Sequence, residues 1–216
     1  MQLWAFSLIG AKVFAMNITS IAQLRELYGH PGERAVKKEL RHLDRHMQAF
    51  IALSPFVVLS SSDVIHQLDA SPRGGAPGFV KVHNETTLWL PDAPGNNRLD
   101  TLENVVSTGR LGLLFFIPGV DEMLRVQGHA TLTTATEVLN TFSDTARPPK
   151  LVIDVAVESA YLHCAKAMMR SKLWSPGSKV ERSVLPTMGE MIKEQAQLSE
   201  PAESQAEMLR RYADSL

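Results

Sequence analysis

Arg73 and Arg98 each stand among small residues that let a backbone come close to a ligand. The first lies in Ser71-Pro72-Arg73-Gly74-Gly75-Ala76-Pro77-Gly78, and the second closes Pro91-Asp92-Ala93-Pro94-Gly95-Asn96-Asn97-Arg98. A planar guanidinium grips two oxygens of a phosphate at once, while glycine leaves room for the backbone to approach and present its amide donors. Asn96 and Asn97 add side-chain amides and a tolerance of left-handed backbone. They also precede a helix opening at Leu99, whose free N–H groups favour an anion. Taken singly, Arg73 reads equally well as a turn residue in a surface ion pair, and Asn97 as a helix cap. Two such loops beside neighbouring strand-like runs point to a phosphate-bearing cofactor held between Ser71 and Asp100.

Other chemistries have weaker support. His42 and His46 stand four apart, the spacing of two zinc ligands on a helix. However, Leu43 occupies the place of a metalloprotease glutamate and no third ligand is evident, so solvated helix histidines and no metal are expected. Cys164 directly follows His163. Adjacent strand residues point to opposite faces, which keeps the two from pairing as nucleophile and base; a buried structural cysteine is expected. The sequence has no Gly-x-Ser-x-Gly elbow, P-loop or Gly-x-Gly-x-x-Gly fingerprint, and no residue is assigned a catalytic role. Lys166, Arg170 and Trp174, four apart, would share a helix face and could offer two cations and an aromatic plane. A basic solvated helix with Trp174 docked in the core explains that spacing more simply.

The elements that must position these groups follow from periodicity. Residues 1–16 read as an N-terminal extension, because Val13-Phe14-Ala15 resembles a cleavage site but a basic start is missing and Gly10 and Lys12 break the apolar run. Helices are expected over 17–54, packed on the domain that follows. Ile21, Leu24 and Leu27 predict a short helix between Thr19 or Ser20 and Gly29; Val36, Leu40, Leu43, Met47 and Phe50 or Ile51 predict a longer one after Gly32. From Pro55 onward, β-branched and aromatic runs predict strands at 56–59, 78–83, 86–90, 112–117, 123–133 and 151–162, with Asn84-Glu85 as a tight turn. Only short helices, 99–107 and 135–142, interrupt them. Five or six closely spaced strands without a helix after each predict a mainly β (α+β) domain over 55–176, an antiparallel barrel or sandwich. Residues 177–216 return to helical composition with a break at Glu200-Pro201.

Composition narrows the partners. The 216 residues are 44% apolar and 21% charged, as in a soluble globular chain. With 22 basic against 23 acidic residues the net charge is −1, which gives no electrostatic footprint for nucleic acid or an anionic membrane. A single cysteine excludes an intramolecular disulfide and suits the cytoplasm.

Six segments, in order, are familiar: Ser71-Pro72-Arg73-Gly74-Gly75, Pro91-Asp92-x-Pro94-Gly95-Asn96-Asn97-Arg98-Leu99-Asp100, Ile117-Pro118-Gly119-Val120-Asp121-Glu122, Leu124-Arg125-Val126-x-Gly128-x-Ala130, Lys166-Ala167-x-x-Arg170-Ser171-x-Leu173-Trp174 and Leu185-Pro186-Thr187-Met188-Gly189. Together they resemble one branch of the pyridoxamine 5′-phosphate oxidase-like FMN-binding proteins, over roughly residues 18–195. The resemblance implies an FMN-binding split β-barrel with flanking N- and C-terminal helices, assembled as a homodimer with its flavins at the interface. It further implies that Arg73, Asn97 and Arg98 hold the FMN phosphate, with Gly74 and Asn96 beside them. Leu90 and Pro91 would run along the isoalloxazine, Pro91 through packing or its carbonyl alone because it has no N–H. Arg125 would contact the flavin, as would Lys166, Arg170 and Trp174 reaching across from a second subunit. True pyridoxamine phosphate oxidases carry a C-terminal Arg-x-His element for the substrate phosphate, and this chain has none. The resemblance therefore implies an FMN-dependent oxidoreductase of unknown substrate, passing electrons between a small-molecule donor and acceptor. A non-enzymatic flavin carrier or sensor is the alternative, and haem or a deazaflavin in the same cleft a third.

Overall fold

The computed structural model describes residues 17–145 and 147–213, so the extension expected over 1–16 lies outside the described residues. The chain divides into two compact units, Met1–Lys37 and Lys38–Leu216. In the first, α1 (Ile21–Tyr28) begins at a capping box: the Ser20 hydroxyl accepts from the Gln23 N–H, and the Gln23 side chain accepts from the Ser20 N–H. Gly29 closes that helix at φ 70°, and α2 (Glu33–Lys37) follows. Neither helix buries a residue.

The long helix expected after Gly32 does not form. α2 stops at Lys37, and α3 (Arg45–Leu53) starts afresh at Asp44, whose carboxylate accepts from the His46 and Met47 N–H groups at 2.9 Å each. Between them the backbone of Leu40 exchanges two hydrogen bonds with Ala160, at 3.0 and 2.8 Å. The apolar spacing over Leu43, Met47 and Ile51 is real, and all three are buried. It is met by an extended segment followed by a short helix, which leaves His42 exposed outside any helix.

Seven strands make one sheet: β1 (Phe56–Ser62), β2 (Leu68–Gly74), β3 (Lys81–Asn84), β4 (Thr87–Pro91), β5 (Arg110–Phe116), β6 (Met123–Thr133) and β7 (Val152–His163). Their order is β2-β1-β5-β6-β7-β4-β3, with every neighbour antiparallel. β2 is the strand the periodicity misses. Its apolar residues Leu68, Ala70 and Pro72 are exposed, while Asp69, Ser71 and Arg73 are half-buried, the reverse of a hydrophobic-in pattern. Ser71 to Gly74, expected as a loop, therefore lies in an edge strand, where a proline costs little.

The core side of the sheet carries Val57, Leu59, Leu113, Phe115, Leu124, Val126, Ile153 and Val155, covered by Leu43 and Ile51 and by Leu102 and Val105 of α4 (Asp100–Thr108). A register shift between Gln127 and Gly128 lets β6 and β7 stay in phase, and only glycine fits there: a Cβ on Gly128 would lie 2.1 Å from the Ala156 carbonyl oxygen. A smaller cluster joins Trp89 and Val152 to Val138 of α5 (Thr136–Leu139) and to Phe142 in the 3₁₀ turn Asn140–Phe142. The opposite face carries the row Pro72, Val58, Leu114, Arg125 and Tyr161, and beside it Phe56 and Phe116 with ring centroids 5.9 Å apart. Among the described residues three α-helices follow the sheet, α6 (Lys166–Ser171), α7 (Met188–Gln195) and α8 (Gln205–Ala213), with 3₁₀ turns at Pro176–Ser178 and Arg182–Val184 and with Glu200-Pro201 a non-helical break as expected. Among the described residues no helix is long and apolar enough to cross a membrane.

Candidate functional site

Alternation along β2 sends Asp69, Ser71 and Arg73 to the core side of the sheet edge, where each is half-buried. The Asp69 carboxylate accepts from the Thr101 hydroxyl at 2.5 Å and from the Ser61 hydroxyl at 3.3 Å, and Asn104 Nδ2 donates to Ser61 Oγ at 3.0 Å. Ser61, Thr101 and Asn104 are buried, so this network ties the edge strand to the first turns of α4. Arg73 Nη1 donates to the Ser71 hydroxyl and, at 2.9 Å, to the Pro72 carbonyl.

Residues 92–99 return to the same edge. Asn97 and Leu99 are left-handed, at φ 59° and 61°, and Asn96 Oδ1 accepts from the Arg98 N–H at 3.1 Å. The left-handed asparagine is the conformation its type suggested. The helix cap is not, because Leu99 holds the N-cap position and makes no side-chain cap bond. Arg98 Nε donates to Asp100 at 2.8 Å, with the guanidinium exposed. That hydrogen bond and the Asp100 charge raise the Arg98 pKa, and Asp69 adds to them. Burial pushes the Asp92 carboxyl above its usual value, opposed by the charge of Arg73, an Ala93 N–H and Lys150. Each arginine segment thus feels an acid from the other. Chemically, the edge can hold an oxyanion through two guanidiniums and local N–H groups, with Asp100 as the carboxylate that such a ligand must displace from Arg98.

Of the residues singled out from the sequence, the structure brings Arg73, Asn97 and Arg98 to this edge, with Gly74 ending β2 and Asn96 in the turn. Leu90 is fully buried in the core, so its side chain packs and only its backbone could meet a ligand. Pro91 pairs with Val152, and the β3 ladder ends at Trp89, so among the described residues no strand covers the Leu90-Pro91 edge on that side. Arg125 lies on the opposite face of the sheet from Arg73, because it is in register with Leu114, Val58 and Pro72 whereas Arg73 is in register with Val57 and Phe115. Lys166 and Arg170 are exposed on α6, which ends at Ser171 with Lys172 left-handed. Trp174 therefore leaves their helix and docks on the β5–β6 turn, its indole N–H donating to the Val120 carbonyl at 2.9 Å. No hydrogen bond or ion pair among the described residues joins these three to the β2 edge.

Sequence reasoning missed Asp69, Thr101 and Asn104, and it gave Ser71 no role of its own. The period-two run Asp69-x-Ser71-x-Arg73 and the three-residue spacing of Thr101 and Asn104 on α4 were the available signals. Cys164, expected to be buried, is exposed one residue beyond β7, where no strand partner covers it. Among the described residues no group of histidine, cysteine and carboxylate could hold a metal ion.

A second constellation lies on the opposite face, at the end of β7. Arg125 Nη1 donates to the Tyr161 hydroxyl at 3.1 Å, with its Cζ 5.7 Å from the ring centroid. Lys38 Nζ lies 5.1 Å from the same centroid and donates to the Leu162 carbonyl at 2.6 Å. The His163 ring tilts against Tyr161 at 5.0 Å, and burial first, then the charges of Arg125 and Lys38, lower its pKa.

The model of the pyridoxamine 5′-phosphate oxidase family matches residues 43–164, more than half of the chain. No curated protein matches it. Among solved structures, a putative pyridoxamine 5′-phosphate oxidase of Lactobacillus delbrueckii is similar at 16% identity and a TM-score of 0.47, covering 57% of this chain and 98% of that one. HupZ of Group A Streptococcus is 15% identical with a TM-score of 0.45, over 54% and 90% of the two chains. HutZ, the heme storage protein of Vibrio cholerae, is 8% identical with a TM-score of 0.41, over 56% and 93%. At these values the three likenesses assign no function.

Proposed function

The chain belongs to the pyridoxamine 5′-phosphate oxidase family, and from that membership we propose that it is an FMN-dependent oxidoreductase whose flavin phosphate sits at the β2 edge. The observation that carries the reading is the meeting of the two arginine segments: Thr101, just after Arg98, donates to Asp69 of β2 at 2.5 Å, and the charge of Arg73 on Asp92 and of Asp69 on Arg98 agrees with it. Five ladder steps separate β2 from β4, on the order of 24 Å in a flat sheet at the usual strand spacing of about 4.8 Å. A β2 arginine whose charge is felt by a carboxyl just after β4 supports a sheet rolled into a split barrel.

In this reading Arg73, Asn97 and Arg98 hold the phosphate, with Gly74 and Asn96 keeping the backbone close. The open Leu90-Pro91 edge lies beside the ring. Bound FMN supplies hydride or electron transfer at its N5, and the protein's part is binding, orientation and exclusion of water. Arg125 faces away from this edge, so it reaches a flavin only from a second copy of the chain, as Lys166, Arg170 and Trp174 are proposed to do. The face bearing Phe56, Phe116, Val58 and Leu114 is apolar and supports a homodimer. A holo-protein that sediments as a monomer at micromolar concentration defeats that assembly. The cytoplasm is the proposed location.

The absorption spectrum of the purified protein, before and after reconstitution with FMN, tests the ligand. Flavin bands that co-elute with the chain support the reading, whereas a haem band or failure to retain FMN overturns it. Anaerobic mixing with NADH or NADPH, followed by reoxidation with quinones or oxygen, then separates enzyme from carrier. A bound flavin that no donor reduces leaves only the carrier or sensor role.

A further inference from the structure

We propose that Arg125, Tyr161, His163 and Lys38 form a second oxyanion site, on the face of the sheet opposite Arg73, that takes the phosphate or carboxylate group of the molecule exchanging electrons with the flavin. Its placement in a redox reaction rests on the flavin reading. The site itself rests on charge and geometry that do not need it.

The four residues converge on one ring. Arg125 and Tyr161 are in direct register on β6 and β7, and His163 is two residues further along the same face. Lys38 comes from the segment that pairs with Ala160 through Leu40. The ion pairs among the described residues are Lys37–Glu33, Arg98–Asp100, Arg110–Glu158 and Arg211–Glu203, so neither Arg125 nor Lys38 has a carboxylate partner there. A guanidinium has five N–H donors, and the hydrogen bond to Tyr161 uses one of them. Because the Tyr161 oxygen accepts that bond, its own O–H remains a donor for something else. Two cations held over one phenol, one of them half-buried and without a counter-ion, repel each other and lack water's full compensation. An anion relieves both costs. The donor set also fits one chemistry: a flat fork for two oxygens, a point charge, a hydroxyl and an imidazole that can add a third positive charge.

The test uses the full chain as purified, with His163 imidazole resonances assigned by comparison with His163→Gln. Sodium phosphate and sodium acetate are titrated against sodium chloride of equal ionic strength at fixed pH. A saturable shift with either oxyanion, and an upward move in the His163 titration, are expected. The arm that saturates at lower concentration identifies phosphate or carboxylate as the preferred group. Arg125→Gln should weaken the response about tenfold or more, as expected for a lost charge-assisted contact. Lys38→Gln, at an exposed position whose removal spares the core, should weaken it by a smaller factor. Arg73→Gln should lower flavin retention, and with flavin removed from both proteins its His163 response should equal the parent's, so failure of the flavin reading and failure of this one are separable. A His163 signal that follows only ionic strength overturns the proposal. So does one that responds equally in the Arg125→Gln and Lys38→Gln proteins, or an Arg125→Gln change that dissociates a dimer while His163 ignores phosphate, which would make the occupant an acidic side chain of a second copy.

Discussion

The β2 edge and the Tyr161 cluster each assemble two cations on one face of the same sheet, yet they handle the charge in opposite ways. At the edge every cation has an acid at hand: Arg98 bonds Asp100, and Arg73 acts on Asp92. At the cluster Arg125 and Lys38 share a phenol and a carbonyl, and the charges acting on His163 are both positive. An oxyanion arriving at the edge must exchange partners with carboxylates, so the net electrostatic gain is small and specificity comes from geometry. One arriving at the cluster neutralises charge that no carboxylate among the described residues pairs with, so its binding should depend more steeply on salt and on pH.

The two faces belong to one seven-stranded sheet, and Leu90 reports on its stability. Its side chain is fully buried on the core side of the sheet, so Leu90→Ala should cost about 2–5 kcal/mol of stability by denaturant unfolding, the range for a large-to-small core change. Both the flavin retention and the His163 response should survive in the fraction that stays folded. Unchanged stability would mean that Leu90 is a ligand contact rather than core. Next in size is Asp69→Ala, which strands the buried hydroxyl of Thr101 and the Ser61–Asn104 pair at the edge alone. Losing hydrogen bonds to a charged group should cost about 1.5–3 kcal/mol and loosen FMN, with no effect at the Tyr161 cluster. An equal loss at both sites would merge the two regions into one.

How far the two regions were legible in the sequence follows the same division. The strands of the frame were readable because β6 and β7 alternate cleanly, and 123–133 matches β6 residue for residue. β2 was not, since its apolar residues face water and its polar ones the protein, so hydrophobic periodicity carried no signal. Arg98 and Asn97 stood out because Gly95-Asn96-Asn97 marks a backbone turn by residue type. The partners that hold them in place, Asp69 and Thr101, lie 32 positions apart and meet only through strand order. The long helix failed for a related reason: the spacing of Leu40, Leu43 and Met47 reports which side is buried, and an extended bridge at Leu40 satisfies it as well as a helix does. Arg125 could be picked as a ligand residue, but its face follows only from register, which a single run of residues does not encode.

Arg98→Ala sharpens the comparison at the level of one contact. Removing the guanidinium from the proposed phosphate position should weaken FMN binding by about 1.5–3 kcal/mol, tenfold or more, measured by fluorescence titration of apoprotein. Arg34→Ala, on the exposed face of α2, is the matched control and should change nothing. Equal flavin occupancy in the two variants would remove Arg98 from the site.

The smallest expected effect distinguishes the regions most finely, because it asks whether acids at the edge oppose the ligand. Burial raises the Asp92 pKa, so the folded state holds the proton more tightly than the unfolded chain does. The stability linked to that proton is full below the unfolded value and is lost as pH rises through the folded one. Asp92→Asn stays neutral throughout and escapes that loss. Its stability relative to the parent should therefore rise from acid toward neutral pH and then level off. With a phosphate at the edge, the same substitution removes a like charge while Arg73 remains, so FMN affinity should also increase, by at most about 1 kcal/mol for a screened, partly exposed group. Among the described residues no carboxylate pairs with Arg125 or Lys38 of the Tyr161 cluster, and its phosphate response should be identical in Asp92→Asn and parent. Weaker FMN binding in Asp92→Asn would show instead that the carboxylate orients Arg73 for the ligand, and the acids of the edge would then be part of the cradle rather than its competitors.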